Sequence, residues 1–353
     1  MSTQRNPAAD IARGLGIVLV VFGHNRIVQH DPGALYRIIF SFHMPLFFFL
    51  SGAFLAPDKA LATTLKQRAD SLLKPYFAVL VLVGLAGMIQ ARAFSPDYIL
   101  GMFYATGESI LWTPLWFLPH LFIAQFFATF LLRTFEPGKF DGTVLVVALL
   151  LLGVPLLRLG HDYAPFTLVL LPGVKRHIMG LPWNLDLLPI STAFLIAGRF
   201  GKDMLAQTPV QGLLATLVAG ALFAALHFGF NDTLDMNERR YDSLIISSLA
   251  AFAGIQMTIG LSCCIAVRPL IARPLAQLGV ASLFIFIFHG YVQGRFTGFF
   301  TNRLVNHPDL AALLGCIAGV LLPFIAYRIS LRSTFISAML LPVFRKRDAT
   351  AKA

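Results

Sequence analysis

Long apolar segments alternate with short polar segments along the whole chain, and this alternation predicts membrane-spanning helices. A spanning helix needs about 20 mostly apolar residues. Ten segments approach this requirement, at 11–29, 36–56, 73–92, 113–132, 143–159, 185–200, 210–230, 243–266, 279–297 and 309–328. The pattern predicts an all-α integral membrane protein, a bundle of about ten transmembrane helices. The stretch 165–172 is expected to be a re-entrant or interfacial piece.

Composition agrees with a membrane location and indicates an orientation. The chain is 57% hydrophobic and 13% charged, whereas a soluble domain carries about 25% charged residues. Its net charge of +11 comes from residues scattered over short loops, so we expect no nucleic-acid partner. With the N-terminus in the cytoplasm, 18 of the 28 Lys and Arg residues fall on the inner side, as the positive-inside rule requires. Both termini are therefore predicted to be cytoplasmic.

The apolar segments recur without a polar block between them, which predicts one membrane domain, 1–345, followed by a short basic cytoplasmic tail, 346–353. The polar start is short, and no small-residue cleavage site follows the first apolar segment, so this segment is expected to be a retained helix and not a signal peptide. The three cysteines have spacings that fit no zinc site, and a structural disulfide is not expected.

Three ionisable residues share one face of the first predicted helix. At about 100° per residue, Arg13 and His24 lie about 20° apart, and Asp10 lies about 40° from the same line. The rise from Arg13 to His24 is about 16 Å. Ionisable groups within spanning segments usually face a bundle interior or a cavity, which favours function for His24. Arg13 and Asp10 could equally anchor the helix at the inner interface.

Other polar residues fall at the predicted outer ends of helices. His43 opens the second helix at a depth comparable to that of His24, but no third ligand has convincing spacing, so no metal site is predicted. Trp116 and His120 lie in the fourth helix. The two alternative interpretations of this segment are an aromatic belt and a sugar-stacking surface. Asp186 could bind substrate or pair with a helix N-terminus. The alternatives for His289 are a structural and a functional role, and Gln293 could hydrogen-bond it.

The predicted loop between the second and third helices is basic. Lys66, Arg68 and Lys74 would all lie on the cytoplasmic side. They could simply mark the topology, or they could bind the phosphates of an anionic cofactor such as coenzyme A.

Four segments of the chain resemble the integral membrane acyltransferase family 3, in particular its fucose 4-O-acetylase-like and exopolysaccharide acetylase branch. They are 10–24, with Asp10, Arg13 and His24, and 41–52, 115–119 and 278–289. In the family, the first helix carries an essential histidine, which corresponds to His24, and an arginine, which corresponds to Arg13. The family often has two arginines three residues apart before the third helix. Here Arg68 matches the first arginine, but Ser71 stands at the position of the second. The cofactor contact of the second arginine is therefore expected only if Lys74 substitutes for it.

The resemblance implies an O-acetyltransferase of the bacterial inner membrane that takes acetyl from cytoplasmic acetyl-CoA to a sugar hydroxyl. The acceptor would be a surface or exopolysaccharide or its lipid-linked precursor, with polysaccharide assembly machinery as a further partner. His24 would be the general base or a transient acetyl carrier, since histidine titrates near working pH. Arg13, oriented by Asp10, would hold phosphates with Arg68, Lys66 and Lys74.

Three alternatives to this function remain at the level of sequence. The first is a non-enzymatic transporter or flippase of lipid-linked sugars, although the inverted repeat that many transporters show is not visible. The second is the same enzyme type with another acyl donor, such as succinyl-CoA. The third is a structural subunit of a polysaccharide assembly complex, in which His24 and Arg13 would tolerate replacement by alanine.

Overall fold

The computed structural model of the chain describes residues 6–30, 33–304 and 307–342. These residues are mostly helical, as predicted. The α-helices are α1 Pro7–Gly23, α2 Arg26–Gln29, α3 Ala34–Phe40, α4 His43–Gly52, α5 Leu61–Arg68, α6 Lys74–Ala91, α7 Pro96–Tyr104, α8 Phe117–Phe135, α9 Lys139–Asp162, α10 Leu188–Phe200, α11 Pro209–Gly229, α12 Leu244–Ala266, α13 Pro269–Val280, α14 Ser282–Thr301, α15 Pro308–Ser330 and α16 Thr334–Leu340. Short 3₁₀ segments cover Thr113–Trp116, Pro182–Leu187 and Lys202–Ala206.

Each of the ten predicted segments overlaps a helix, but not every helix has the length of a complete span. Within the described residues, seven helical stretches are long and apolar enough to cross a membrane, and α13 with α14 adds a pair bent by 79°. Two predicted spans correspond to shorter helices, because α1 has 17 residues and α10 has 13. The structure therefore supports a multi-pass helical protein, while the number ten and the sides of the termini stay predictions.

The basic segment before the third predicted span is helical, where a loop was expected. Helices α5 and α6 join through a π-helical turn, Ala69–Leu73, into one stretch, Leu61–Ala91. Residues 61–68 are good helix formers apart from two threonines, and this propensity continues the helix beyond its apolar part. Lys66, Arg68 and Lys74 consequently have fixed positions along one helical stretch.

A β-hairpin occupies the stretch expected to be a re-entrant or interfacial piece. Strand β1, Phe166–Leu171, pairs antiparallel with β2, Val174–Ile178. The expectation missed a two-residue alternation, in which Leu168 and Leu170 are buried and pack with Ile178 against Tyr98 of α7. Gly173 lies in the turn with φ 81°, a backbone conformation that favours glycine. Two further strands, β3 Leu234–Asp235 and β4 Arg240–Tyr241, have two residues each.

The chain divides into two compact units, each made of separate stretches of sequence. Unit 1 comprises Met1–Phe54, Gly198–Asp235 and Tyr241–Ile329, and unit 2 comprises Leu55–Ala197, Met236–Arg240 and Ser330–Ala353. The predicted assignment of 1–345 to one functional domain stays a prediction, and the predicted tail, 346–353, lies outside the described residues.

Within each unit, hydrogen bonds join segments that the ten-span prediction places on the same side of the membrane. Three such bonds join predicted inner segments, Asn6 with Leu205, Arg133 with Pro57, and Lys74 with Leu341. Two join predicted outer segments, Ser95 with Val169 and Trp183 with Phe103, and one joins the outer ends of two predicted spans, Asn25 with Ala312. These pairings are those expected when successive spans alternate in direction. One bond departs from this pattern, because Tyr76, near the inner end of the third predicted span, donates to the carbonyl of Met102 in a predicted outer segment.

Candidate functional site

Helix α1 carries Asp10 and Arg13 near its start and His24 immediately after its end. Asn6 caps the helix, because its side-chain oxygen accepts a hydrogen bond from the amide of Ala9 at 3.1 Å. Arg13 Nη1 donates to Asp10 Oδ1 at 3.1 Å, so the ion pair that was predicted to orient Arg13 is present. The Arg13 guanidinium also lies 5.0 Å from the centre of the Phe54 ring, a cation–π contact.

Close backbone packing fixes the position of α1 within unit 1. Gly14 faces the carbonyl oxygen of Leu275, and Gly279 faces the carbonyl oxygen of Asp10; a methyl group at either glycine would overlap that oxygen. Helices α1 and α13 are therefore in direct backbone contact. The path of α1, and with it the place of His24, depends on this contact.

The backbone of α1 selects the proton position on the His24 ring. His24 Nδ1 lies 2.8 Å from the carbonyl oxygen of Val20, and since a carbonyl can only accept, Nδ1 carries the proton and donates. In the neutral ring, Nε2 then has the lone pair. The His24 side chain is exposed, unlike the neighbouring buried residues of α1. It thus presents a basic nitrogen to space outside the packed helices.

The structure brings three predicted site histidines of unit 1 together. The ring centroids of His24 and His289 lie 5.2 Å apart with a T-shaped arrangement. Phe40 links His24 to His43, because its ring centroid lies 6.0 Å from that of His24 and 4.8 Å from that of His43. His43 and His289 are buried. We call His24, His43 and His289 the histidine cluster.

All three histidines of the cluster have the same hydrogen-bond arrangement. His43 Nδ1 donates to the carbonyl of Ile39 at 2.9 Å, and His289 Nδ1 donates to that of Phe286 at 2.8 Å. Each neutral ring therefore keeps its acceptor at Nε2. No group of three or more His, Cys, Asp or Glu in the described ranges is placed to hold a metal ion.

Gln293 of α14 contacts His24 and not His289, so the predicted hydrogen bond between Gln293 and His289 is wrong. Helix α1 ends at Gly23, and the carbonyl of His24 is one of those that a helix end leaves without a helical partner. Gln293 Nε2 donates to this carbonyl at 2.8 Å. The sequence showed a glutamine on an apolar helix, but not which of two neighbours it would bind.

Tyr36 and Asp235 form a second polar contact near the cluster that the sequence did not reveal. The Tyr36 hydroxyl donates to Asp235 Oδ2, and the Tyr36 ring stacks on Phe40 with centroids 4.1 Å apart. Asp235 is buried and close enough to interact electrostatically with His24. No motif marks Asp235, which is the second residue of the two-residue strand β3.

The residues predicted to bind the donor, Lys66, Arg68 and Lys74, all lie in unit 2. Lys74 Nζ donates to Asp70 Oδ1 at 2.6 Å and to the carbonyl of Leu341 at 2.7 Å. Lys66 is exposed. Arg68 lies beside a groove between α5 and α8 that Gln125 also lines. Lys74 thus has two partners within the unit, and the predicted contacts of Lys66, Arg68 and Lys74 with the donor stay predictions.

Ser71, which stands where the family often has a second arginine, has a local role in this structure. Its hydroxyl donates to the carbonyl of Arg68 at 3.1 Å. The residue lies in the π-helical turn, where the regular helical bonding pattern is interrupted. Its hydroxyl supports that turn and brings no charge to the segment.

His120 and Trp116 of unit 2 are packed against one another and buried. Their ring centroids lie 5.9 Å apart. His120 Nδ1 donates to the carbonyl of Trp183 at 3.0 Å, and Nε2 lies 2.9 Å from the hydroxyl of Ser191. Both ring nitrogens of His120 thus have partners inside the unit. The predicted contacts of His120 and Trp116 with substrate stay predictions.

Asp186 forms a buried ion pair with Arg239, a residue that the sequence did not single out. Arg239 Nε donates to Asp186 Oδ2 at 2.7 Å, and the amide of Leu181 donates to Asp186 Oδ1 at 3.0 Å. Arg239 also donates to Asn184 Oδ1 at 2.8 Å and to the carbonyl of Asn237 at 3.1 Å. The prediction of Asp186 in substrate binding stays untested, while its carboxylate oxygens each have a protein partner.

The backbone around this ion pair is strained, and neighbouring side chains hold it in place. Trp183, Asn184 and Arg239 have φ values of 57°, 55° and 54°, which cost free energy for residues other than glycine. Tyr104 donates to the carbonyl of Gly180 at 2.7 Å, and burial raises the pKa of Tyr104 to about 12. Tyr104 therefore stays a protonated donor at neutral pH.

The helices describe a multi-pass membrane protein with a histidine at the end of its first helix. The family model described as an acyltransferase domain matches residues 6–328. The chain belongs to this family, acyltransferase family 3, and it is a membrane acyltransferase. No curated protein gives a significant match. No solved structure gives a significant match either. The predicted family is thus confirmed, whereas the fucose 4-O-acetylase-like and exopolysaccharide branch stays a prediction.

Proposed function

We propose that the protein is an O-acetyltransferase that moves acetyl from acetyl-CoA to a sugar hydroxyl, with His24 as general base. The acceptor is a surface or exopolysaccharide or its lipid-linked precursor, and the membrane is the bacterial inner membrane. The observation that carries the proposal is His24 itself, whose Nδ1 is engaged by Val20 and whose ring is exposed.

The chemistry of acetyl transfer fits this nitrogen. His24 Nε2 takes the proton of the acceptor hydroxyl while the hydroxyl oxygen forms a bond with the thioester carbonyl carbon. The carbon–sulfur bond then breaks, and the sulfur leaves with the proton from His24 as the thiol of coenzyme A. General base catalysis of this kind contributes about 10²- to 10⁴-fold to a rate. Asp235 supports the step, because a nearby carboxylate favours the imidazolium that forms.

Acetyl-CoA as the donor rests on the basic residues of unit 2, above all Arg68. A guanidinium suits phosphate because it offers several N–H donors in a fixed plane. We expect Arg68→Met to raise the KM for acetyl-CoA about tenfold, since a charge-assisted hydrogen bond contributes about 1.5–3 kcal/mol, with less effect on the KM for the acceptor. Lys139→Met, which changes an exposed lysine at the start of α9, is the control. An unchanged KM for acetyl-CoA in Arg68→Met would remove Arg68 from the donor site.

The polysaccharide of the producing cell gives a direct test of the whole proposal. NMR of surface polysaccharide from a strain that lacks the protein should show the loss of one O-acetyl signal. Wild-type protein and His227→Ala should restore the signal, and His24→Ala at equal abundance should not. His227 is a matched control because its Nδ1 also donates to a carbonyl one helical turn earlier, that of Phe223, at 2.9 Å.

Other outcomes of this experiment point elsewhere. Loss of polysaccharide from the surface, with acetylation of the remainder intact, would indicate transport of lipid-linked sugars. Loss of a succinyl signal would indicate that the acyl donor is succinyl-CoA, while the reaction would still be O-acyl transfer. Restoration of the acetyl signal by His24→Ala would contradict the role of His24.

A further inference from the structure

Two polar atoms on one face of α14 lie buried beside His24 without a hydrogen-bond partner in the described part of the chain. They are His289 Nε2 and Gln293 Oε1. The two residues are 0% and 5% exposed. Because they are four positions apart, their side chains lie on the same face of the helix, separated by a rise of about 6 Å. A buried polar atom without a partner costs about 1–3 kcal/mol, so its retention calls for an explanation.

The neighbouring bonds identify both atoms as acceptors. The carbonyls of Phe286 and His24 can only accept, so His289 Nδ1 and Gln293 Nε2 are donors to them, at 2.8 Å each. This fixes the tautomer of the neutral His289 ring and the orientation of the Gln293 amide. Nε2 of His289 and Oε1 of Gln293 are left to accept.

His24 adds a third acceptor beside His289. Its ring centroid lies 5.2 Å from that of His289, and its own Nε2 holds the lone pair of the neutral ring. A ligand that satisfies these three atoms must bring hydrogen-bond donors. A thioester carbonyl can only accept and gains nothing from them, whereas an alcohol with several hydroxyl groups matches them.

We propose that His289 Nε2 and Gln293 Oε1 each accept a hydrogen bond from one hydroxyl group of the acceptor, both hydroxyls being next to the one that His24 deprotonates. The substrate class is then a polyol with three neighbouring hydroxyls, such as a sugar ring. This inference rests on the proposed function, because it assumes that His24 meets an acceptor alcohol. The short separation of the two rings favours adjacent hydroxyls over distant ones.

The test compares acceptors that differ by one hydroxyl. Purified protein in lipid nanodiscs receives acetyl-CoA and methyl glycosides of mannose, galactose and glucose, each beside its monodeoxy analogues. The measured quantity is the ratio of kcat/KM for a glycoside to that for the analogue lacking the hydroxyl next to the acetylated position. Since both values come from one preparation, the amount of folded protein cancels.

We expect a ratio of about 10 or more for wild type, because a site built to bind a hydroxyl discriminates against its absence. In Gln293→Leu and in His289→Phe the ratio should fall towards one for the hydroxyl that each residue binds. His227→Phe, which changes a histidine of α11 with the same type of backbone bond, should keep the wild-type ratio.

Two results would overturn the inference, and they are distinguishable. Acetylation with equal ratios in wild type and both variants would refute the two hydroxyl sites while leaving the proposed function intact. An absence of acetyl transfer to every glycoside, with wild-type protein, would instead contradict transfer to sugars and remove the basis of the inference.

Discussion

Two groups of polar side chains, one in each unit, differ in how completely their atoms are paired. In unit 2, both carboxylate oxygens of Asp186 and all three guanidinium nitrogens of Arg239 have protein partners. In unit 1, each ring of the histidine cluster gives its Nδ1 proton to a backbone carbonyl, and His289 Nε2 has no partner among the described residues.

This difference separates a structural role from a binding role. A fully paired buried network fixes one backbone arrangement, and around Asp186 that arrangement includes three strained residues. Hydrogen-bond acceptors that are fixed in position but unpaired can bind a ligand without first breaking another hydrogen bond. We therefore propose the arrangement in unit 1, and not that in unit 2, for binding and chemistry, although Asp186 and His289 look equally eligible in the sequence.

The largest effect on stability is expected from Asp186→Leu. The substitution leaves the guanidinium of Arg239 buried without its carboxylate, and breaking a buried ion pair costs about 3–5 kcal/mol. Thermal unfolding in detergent should therefore occur at a much lower temperature than in wild type. Asp186→Leu combined with Arg239→Met should recover much of the loss, because both charges are then removed.

His289→Phe is the companion experiment for unit 1. If the comparison is correct, this variant unfolds close to the wild-type temperature. Equal destabilisation by Asp186→Leu and His289→Phe would show that the two groups have the same structural role and would end the distinction between them.

A smaller effect is expected where α1 meets α13. In Gly279→Ala, the added methyl group meets the carbonyl oxygen of Asp10, and overpacking of this kind costs about 1–3 kcal/mol. Because Asp10 lies on α1, which leads to His24, we also expect kcat to fall more than the change in melting temperature alone would imply. Gly290→Ala, where nothing lies within 4 Å of the added methyl, is the matched control and should leave kcat unchanged.

The smallest effect is expected from Tyr36→Phe. The variant removes the hydrogen bond to Asp235 and keeps the ring that stacks on Phe40, so we expect a loss of about 1 kcal/mol, typical of one hydrogen bond. If Asp235 supports His24, kcat should fall a few-fold while the KM for acetyl-CoA stays constant. An increase in that KM alone would place Tyr36 with the donor instead.

Periodicity alone anticipated the parts of this protein that depend on neighbours along one helix. The ion pair of Asp10 with Arg13 has the spacing expected of neighbours on one helical face. The spans likewise follow from apolar length. The hairpin 166–178 was missed because its alternation is short and lies between two apolar helices.

Contacts between distant segments could not be predicted in the same way. Arg239 is 53 positions from Asp186, and Gln293 is 269 positions from the carbonyl it binds. Nothing in the local sequence distinguishes these residues from other polar residues in loops and helices. Their roles appear only once the fold has brought the segments together.

The central claim, that His24 is the base for acyl transfer, is tested most directly with labelled acetyl-CoA. Purified wild type, His24→Ala and His227→Ala are compared at equal amounts of folded protein, and transfer of labelled acetyl to the glycoside acceptors is measured. We predict that His24→Ala loses about 10²- to 10⁴-fold in kcat and that His227→Ala matches wild type. Transfer by His24→Ala at the wild-type rate would contradict the account.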